Sequence, residues 1–227
     1  MKVVVSVGGS VLVPNLDSGR IAAYTDVLER LDDEGHDLAV VVGGGPAARD
    51  YIAAGRELGA NEIELDQVGI AVTRLNARLL IAALNDRAAP VPPEDYETAR
   101  AALRRGDIPV MGGTEPGHTT DAVSTALAEY TDADVLIYAT SASGVYDVDP
   151  NEHPNATKYA EMSAADLVSL ISDLEMDAGS NAPVDLLAAK LLDRAGLRAA
   201  VVDGTDPETV AAAVAGDHDG TDILPET

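Results

Sequence analysis

The sequence predicts an α/β protein built as a three-layer αβα sandwich around a mostly parallel, twisted sheet. Short runs rich in Val, Ile, Leu and Ala alternate with longer segments of helical periodicity. This alternation is typical of a doubly wound sheet. The short runs are almost continuously apolar, as expected for parallel strands that are covered by helices on both faces.

The strands and helices can be placed along the chain by their apolar patterns. Strands are predicted over residues 3–7, 38–42, 108–111, 135–139 and 199–202. Helices are predicted over residues 17–34, 46–58, 62–85, 93–105, 119–130, 163–170 and 184–195. Glycine directly follows the predicted helices over residues 17–34, 46–58 and 93–105, which is a common signal for a helix C-terminus. The acidic tail from residue 216 is predicted to form a hairpin or an exposed edge, and residues 1–227 are expected to form one domain.

The composition is strongly acidic and lacks cysteine. The chain has 39 acidic and 15 basic residues, a net charge of −24. A nucleic-acid partner is not expected, because binding to phosphate backbones needs basic surface. The 46% hydrophobic content argues against disorder. Repulsion between so many like charges should destabilise the folded chain at low salt. In molar salt the Debye length falls to about 3 Å and this repulsion is screened, so the composition predicts a halophilic protein.

The N-terminus does not resemble a secretory signal, because its apolar run is short and Gly8-Gly9 follows at once. No apolar run approaches the roughly 20 residues that a membrane span needs. We therefore expect a cytoplasmic protein without a membrane partner.

Two glycine-rich turns follow the first two predicted strands. The first is Gly8-Gly9-Ser10, and the second is Gly43-Gly44-Gly45, which leads into a helix with Arg49 one turn in. Free N–H groups at such turns attract phosphate, so both turns are predicted to bind it through their backbone. The motifs GxxxxGK[ST] and GxGxxG are absent, which excludes a P-loop and leaves a Rossmann dinucleotide site unsupported.

Two further loops follow later strands. Residues 111–121 combine glycines, hydroxyls and a proline before a helix that Thr119 or Thr120 should cap. We interpret this loop as a site for a flat polar ligand such as a base. In residues 139–150, Tyr146 is a candidate to pack on adenine and Asp149 to accept from ribose or purine donors. Ordinary surface turns remain the alternative for both loops.

The most specific stretch is Gly112-Gly113-Thr114 followed by Pro116-Gly117-His118-Thr119-Thr120-Asp121-Ala122. Together with the two glycine turns and Gly144-Val145-Tyr146, it resembles the archaeal-type UMP kinases of the amino-acid-kinase family. The resemblance extends over essentially the whole chain and implies the amino-acid-kinase (carbamate-kinase-like) fold.

The resemblance implies transfer of the γ-phosphoryl group of ATP to UMP, giving UDP and ADP in pyrimidine nucleotide biosynthesis. The UMP site would lie in the N-terminal half, about residues 1–120, and the ATP site in about residues 121–227. Mg²⁺ would accompany ATP and be bound mainly through phosphates, with no protein ligand assigned. UTP would be an inhibitor by analogy, and the assembly would be a homohexamer.

The resemblance also assigns roles to individual residues. The residues implied to contact ATP are Gly9, Ser10, Gly45, Arg49, Thr140, Tyr146 and Asp149. Those implied to contact UMP are Gly44, Asp66, Thr114, Glu115, Pro116, Gly117, His118, Thr119 and Thr120. Catalysis would rest on Arg49, Gly9, Ser10 and Gly44, with the N–H groups of both glycine turns stabilising the transferred charge.

The sequence departs from the family pattern in three places. Ser6 stands where other amino-acid kinases have a lysine, which archaeal UMP kinases also lack. Residues 140–144 read Thr-Ser-Ala-Ser-Gly where relatives usually have Thr-Asn-Val-Asp-Gly, and Glu115 stands where histidine is common.

Two alternatives to this function remain open. One is a different phosphotransferase of this fold, such as an isopentenyl phosphate kinase. The other is a non-catalytic nucleotide-binding protein, which the altered residues 141–143 favour. For assembly, the helix over residues 62–85 with Leu75, Leu79 and Leu80 is a candidate dimer face, and burial in the monomer core is the alternative.

Overall fold

The structure is a computed structural model that describes residues 1–150, 152–174 and 183–225. Within these residues the chain forms one seven-stranded sheet. The strands in chain order are β1 Lys2–Val7, β2 Asp37–Val42, β3 Val110–Met111, β4 Val135–Thr140, β5 Glu161–Ser163, β6 Ala199–Asp203 and β7 Thr221–Leu224. Their order across the sheet is β3-β2-β1-β4-β6-β7-β5.

The sheet is mostly parallel, as predicted. β1 pairs in parallel with β2 and β4, and Val7 lies opposite both Val42 and Ala139. Only the β6–β7 pair is antiparallel among the described strands. The carboxyl ends of β1, β2 and β4 therefore meet at one edge of the sheet, where open α/β sheets bind their ligands.

Two predictions about strands were wrong in detail. The third strand is reduced to Val110–Met111, and Ile108 forms an isolated parallel bridge with Ala88 instead. The tail is neither a hairpin nor an exposed edge, because β7 lies between β6 and β5. Its buried residues, Thr221 and Ile223, alternate with partly exposed ones, and so short an alternation gives only a weak sequence signal.

The described residues also form nine α-helices, and the seven predicted helices are among them. They are α1 Gly9–Leu12, α2 Ser18–Asp33, α3 Gly45–Glu57, α4 Glu62–Leu84, α5 Tyr96–Arg104, α6 Thr120–Thr131, α7 Ala164–Leu174, α8 Leu186–Ala195 and α9 Glu208–Ala215. The helices α1 and α9 were not predicted, and α7 extends further than residue 170. Thr119 caps α6 by accepting a hydrogen bond from the N–H of Ala122, as expected.

Helices cover both faces of the sheet, which confirms the three-layer architecture. On one face, α2, α4 and α9 bury apolar residues such as Leu28, Leu80 and Val210 against β1, β2 and β4. On the other face, α5, α6, α7 and α8 form a second core with residues such as Leu127 and Leu192. The helix α3 packs on α4, beyond the first layer.

The segment Glu62–Arg87, which contains α4, has the length and composition of a membrane-spanning helix. No such segment was expected from the sequence. Its inward residues Leu65, Val72, Leu80 and Leu84 are buried in the folded chain. This helix is therefore an integral part of the α/β domain.

Candidate active site

The two glycine turns lie against each other at the carboxyl edge of the sheet. A Cβ atom on Gly9 would be 2.2 Å from Gly45 N and 2.5 Å from Gly43 O, and a Cβ on Gly45 would be 2.5 Å from the Gly9 carbonyl. Real Cβ atoms do not approach backbone atoms so closely. Glycine is therefore required at both positions, because only its bare backbone lets the turns touch.

Only part of each turn has N–H groups available for a ligand. The N–H of Gly8 donates to Ala139 O at 3.0 Å, and that of Gly43 donates to Val7 O at 2.9 Å. Gly9 and Ser10 begin α1, so their N–H groups have no acceptor within that helix. No other acceptor is found for them among the described residues. Fewer backbone N–H groups are therefore available to a phosphate than the sequence predicted, because those of Gly8 and Gly43 already donate to neighbouring strands of the sheet.

Arg49 extends from the first turns of α3 to the first glycine turn. Its Nη1 and Nη2 atoms lie 3.4 and 3.5 Å from Ser10 Oγ. These distances are at the long limit of a hydrogen bond, so the contact is weak. The guanidinium is exposed and remains able to bind an anion placed between the two turns.

The helix α4 supports the second glycine turn through Asn76. The Nδ2 of this buried side chain donates to Gly43 O at 2.9 Å and to Gly44 O at 3.1 Å. Both carbonyl oxygens are thereby held by a protein donor. This role of Asn76 was not predicted, because a lone Asn within a helical pattern carries no specific signal.

The same helix holds the loop between β3 and α6. Thr73 Oγ1 accepts from Gly113 N at 2.7 Å, and Arg74 Nε donates to Gly113 O at 3.1 Å. Asp66 Oδ2 accepts from Gly117 N at 2.8 Å. The structure thus brings Asp66 to the predicted base-binding loop, whereas the supporting roles of Thr73 and Arg74 were not foreseen.

The predicted loop residues 114–120 lie together between β3 and α6. Gly117 has a φ of +80°, and the N–H of His118 donates to Glu115 O at 3.3 Å, which forms a tight turn. Glu115 and His118 are exposed, and Pro116 is partly exposed. The Thr114 hydroxyl is buried near the Tyr96 side chain but forms no hydrogen bond of standard geometry with the described residues.

A pair of acidic side chains lies beside this loop and was missed by sequence reasoning. Asp121 Oδ1 accepts from Ser6 Oγ at 3.2 Å, and Asp185 Oδ2 accepts from the Thr119 hydroxyl. Burial raises the pKa of the Asp121 carboxyl to about 7; the nearby Asp185 raises it too, and the Ser6 hydrogen bond lowers it. Ser6, which the resemblance places where amino-acid kinases commonly have a lysine, therefore contacts this carboxyl.

The loop after β4 begins beside the first glycine turn. Gly204 N donates to Thr140 O at 2.7 Å, and Ala142 N donates to Thr140 Oγ1 at 3.0 Å. The Tyr146 hydroxyl shares a hydrogen bond of 2.7 Å with Ser143 Oγ. A residue that breaks the usual family pattern therefore holds the predicted adenine-binding tyrosine.

The far side of this loop is held by the last strand. Val145 N donates to Thr221 Oγ1 at 2.9 Å, and the Thr221 hydroxyl donates in turn to Tyr159 O. Asp149 lies further along, where its carbonyl accepts from the N–H groups of Glu152 and His153 at 3.2 and 2.9 Å. These backbone hydrogen bonds place Asp149 in a separate turn after the Tyr146 segment.

A cavity of about 290 Å³ opens next to this loop. Its size approaches that of small-ligand sites, which begin at about 300 Å³. It was not predicted, because its walls come from α9 and the turn before β7, neither of which had a clear pattern. The cavity is lined by Ser143, Val202, Asp203, Thr209, Ala212, Asp217, His218, Asp219 and Gly220.

Comparison with known proteins identifies the family. Residues 1–203 match the model of the amino acid kinase family. The chain belongs to the amino acid kinase family. It is 64% identical over 227 residues to the uridylate kinase of Haloarcula marismortui, covering all of both chains, and 61% identical to that of Halobacterium salinarum strain R1, covering all of this chain and 94% of the relative.

A solved structure supports the same assignment. The crystal structure of uridylate kinase from Archaeoglobus fulgidus superposes with a TM-score of 0.90 at 44% identity, covering 99% of this chain and all of that one. The family and fold that the motifs suggested are confirmed. The similarity to haloarchaeal relatives also fits the acidic composition.

Proposed function

We propose that the chain transfers the γ-phosphoryl group of ATP to UMP, forming ADP and UDP. The observation that carries this proposal is the backbone contact between the glycine turns after β1 and β2, with Arg49 reaching across them. Two anionic groups bound at turns in contact are close enough to react. Relatives named uridylate kinase at 61–64% identity support UMP as the acceptor.

In this mechanism the chain positions the two nucleotides and neutralises the negative charge of their phosphates, which are the main requirements of phosphoryl transfer. A phosphate oxygen of UMP attacks the γ-phosphorus in line, the bond to the β-phosphate oxygen breaks, and ADP leaves. The UMP phosphate is largely ionised at neutral pH, so no general base is needed. The N–H groups of Gly9, Ser10, Gly44 and Gly45 and the guanidinium of Arg49 would stabilise the equatorial charge.

The acceptor half is assigned to the loop that α4 holds. Asp66 would accept from the ribose hydroxyls of UMP, with the N–H of Gly117 keeping its carboxylate in place. Residues 114–120 would surround the uracil and phosphate, and Thr114 offers a buried hydroxyl without a satisfied partner among the described residues. Gly44 would meet the UMP phosphate, because Asn76 binds its carbonyl oxygen and leaves the N–H side of the turn to the ligand.

The donor half is assigned to the β4 loop and the cavity beside it. Thr140, Tyr146 and Asp149 would hold the ATP nucleoside, and the Ser143 hydroxyl would orient Tyr146. The cavity lies against Ser143 and offers space for part of the nucleoside. Gly9, Ser10, Gly45 and Arg49 would then contact the ATP phosphates.

Mg²⁺ is expected with ATP, as in phosphoryl transfer generally, and supplies charge neutralisation at the phosphates when bound. In the described ranges, no three His, Cys, Asp or Glu side chains come together as a metal site. Mg²⁺ would be bound mainly through phosphate oxygens of the nucleotides.

A coupled assay for ADP release in molar KCl tests the proposal. The purified chain is given ATP and Mg²⁺ with UMP, CMP or isopentenyl phosphate as acceptor. The expected result is efficient turnover with UMP and weaker turnover with the other two. Preference for isopentenyl phosphate would instead identify the other phosphotransferase class, and binding of ATP and UMP by calorimetry without ADP release would identify a non-catalytic binding protein.

Three further expectations extend this proposal. We predict that the chain associates into a homohexamer, is inhibited by UTP and is located in the cytoplasm. We also predict that residues up to about 120 form the acceptor half and that the remaining residues form the donor half. Sedimentation, inhibition kinetics and cell fractionation test them in turn.

A further inference from the structure

The carboxylate of Asp185 joins the acceptor loop to the start of α8. Its Oδ1 accepts from Ala188 N at 3.0 Å and caps α8, and its Oδ2 accepts from the hydroxyl of Thr119. Burial raises the pKa of the neighbouring Asp121 carboxyl to about 7, and the negative charge of Asp185 raises it further. An ionised carboxylate accepts hydrogen bonds and has no proton to donate. The hydroxyl proton of Thr119 is therefore directed at Asp185.

The Thr119 hydroxyl has a second fixed contact at the start of α6. Its oxygen accepts from Ala122 N at 3.1 Å, which caps this helix. A threonine hydroxyl has one proton and two lone pairs. Because the proton and one lone pair are engaged, the second lone pair is what the hydroxyl can offer to a ligand. The Thr119 side chain belongs to an exposed residue, so a ligand in this loop can reach it.

This orientation of the hydroxyl decides which part of UMP it can contact. The ionised phosphate and the two carbonyl oxygens of uracil are acceptors, so a lone pair of Thr119 forms no hydrogen bond with them. The donors in UMP are the N3–H of uracil and the ribose hydroxyls. Asp66, whose Oδ2 accepts from Gly117 N at 2.8 Å, is proposed to bind the ribose hydroxyls. The donor that remains for Thr119 is the N3–H of uracil.

We propose that the Thr119 hydroxyl accepts a hydrogen bond from the N3–H of uracil, and that Asp185 is the positioning residue that sets the preference for UMP over CMP. Asp185 does so by holding the Thr119 proton away from the base. The inference rests on the proposed function, since it concerns the same acceptor site. It assigns a role in substrate choice to a residue outside the acceptor loop.

Cytosine differs from uracil at the atom that Thr119 contacts. Its N3 carries no hydrogen and is itself an acceptor, so it would face the lone pair of Thr119 without a hydrogen bond. A polar group that loses its partner on binding costs affinity. Turning the hydroxyl towards cytosine would break its bond to the Asp185 carboxylate, which is of the stronger, charge-assisted kind. Both outcomes disfavour CMP.

The variant Asp185→Asn should reverse the direction of this hydrogen bond. The cap on α8 needs an acceptor for Ala188 N, so the amide oxygen takes that position and the amide nitrogen faces Thr119. Asparagine caps helices about as well as aspartate, so α8 should keep its start. The amide nitrogen donates to Thr119, whose proton then turns to the ligand. A donating hydroxyl suits N3 of cytosine and leaves the N3–H of uracil without an acceptor.

The assay measures kcat/KM of the full chain for UMP, CMP and dUMP, with saturating ATP in molar KCl. For Asp185→Asn we expect the ratio of UMP to CMP to fall about 5- to 150-fold, the scale for one polar group left without a partner. The ratio of UMP to dUMP should stay at the wild-type value, because the ribose contact is assigned to Asp66. Each ratio compares two substrates on one preparation, so a loss of folded protein cancels.

Three further variants separate this role from a structural one. Thr119→Val keeps the shape of the side chain without its hydroxyl and should also lower the ratio of UMP to CMP. Thr119→Ser keeps the hydroxyl and should retain the wild-type ratio. Asp17→Asn makes the same exchange at the start of α2, where Asp17 Oδ1 accepts from Gly19 N at 2.9 Å, and should leave the ratio unchanged. Circular dichroism verifies that each variant is folded.

Three results would overturn the inference. If Asp185→Asn keeps the wild-type ratio of UMP to CMP, Asp185 does not set the preference. If it changes only the ratio of UMP to dUMP, Thr119 contacts the ribose and not the base. A wild-type chain that uses UMP and CMP equally well would leave no preference to explain. Failure of the proposed function is seen separately, as a wild-type chain that releases no ADP with any of the three nucleotides.

Discussion

Replacing Gly9 by alanine tests whether contact between the two glycine turns is needed for turnover. The new Cβ would lie 2.2 Å from Gly45 N, whereas ordinary contacts begin at 3.4 Å. The turns must therefore separate by the difference, about 1.2 Å, because the obstructing atoms are backbone and cannot rotate away. A misplacement of about 1 Å in a reacting geometry can lower the rate about 10²-fold.

We expect kcat of Gly9→Ala to fall about 10²-fold or more, which corresponds to about 2.7 kcal/mol of barrier. The assay is ADP release with saturating ATP and UMP in molar KCl. Gly8→Ala is the matched comparison, because its Cβ would meet nothing closer than 3.5 Å and its φ of −55° suits alanine. Gly8→Ala should lose much less activity, and its melting temperature should stay near that of the wild type.

The reasoning would be refuted by a Gly9→Ala chain that is folded and turns over within about threefold of the wild type, a change in barrier well below 1 kcal/mol. The turns would then be able to separate without loss of the reacting geometry. Their contact in the structure would have no bearing on catalysis.

Three other predictions follow from the site and the surface. Arg49→Ala should lower kcat about 10²-fold, the scale for one lost charge-stabilising donor, and unchanged turnover would remove Arg49 from the mechanism. The pKa of Asp121 is raised from 3.8 to about 7, so its contribution to stability is complete below pH 4 and is lost as the pH rises through 7. Denaturant unfolding should therefore favour Asp121→Asn over the wild type increasingly between pH 4 and pH 8, and a constant difference would contradict the assigned pKa. The thermal midpoint should fall when KCl is reduced from molar to about 0.1 M, where the Debye length grows to about 10 Å and repulsion within a chain of charge −24 is less screened.

The sequence predicts the parts of the fold that depend on long apolar patterns. The strands β1, β2 and β4 and seven helices were placed to within a few residues, because each buries a continuous or periodic set of side chains. The short elements β5, β7 and α9 were missed. β5 and β7 have only three and four residues, which is too short for a clear apolar pattern. They form because neighbouring strands of the sheet supply their hydrogen-bond partners.

The candidate site divides in the same way. The glycine turns can be predicted from the sequence, because consecutive glycines at the end of a strand indicate a turn where the backbone must approach another group closely. The roles of Asn76, Thr73 and Asp185 are not readable, because each depends on a side chain meeting a backbone or hydroxyl group more than 30 residues away. Only the packing of α4 and α8 against the strand ends brings these partners together.

If the loop that carries Tyr146 binds the ATP nucleoside as proposed, the hydrogen bonds of Thr221 give the end of the chain a part in nucleotide recognition. The segment matched to the family stops at residue 203, yet the loop that carries Tyr146 is fastened from outside by the strand at residues 221–224. A chain shortened to the matched segment would retain both glycine turns and the acceptor loop. It would lose the strand that holds the loop proposed to bind adenine, so we expect its affinity for ATP to fall more than its affinity for UMP.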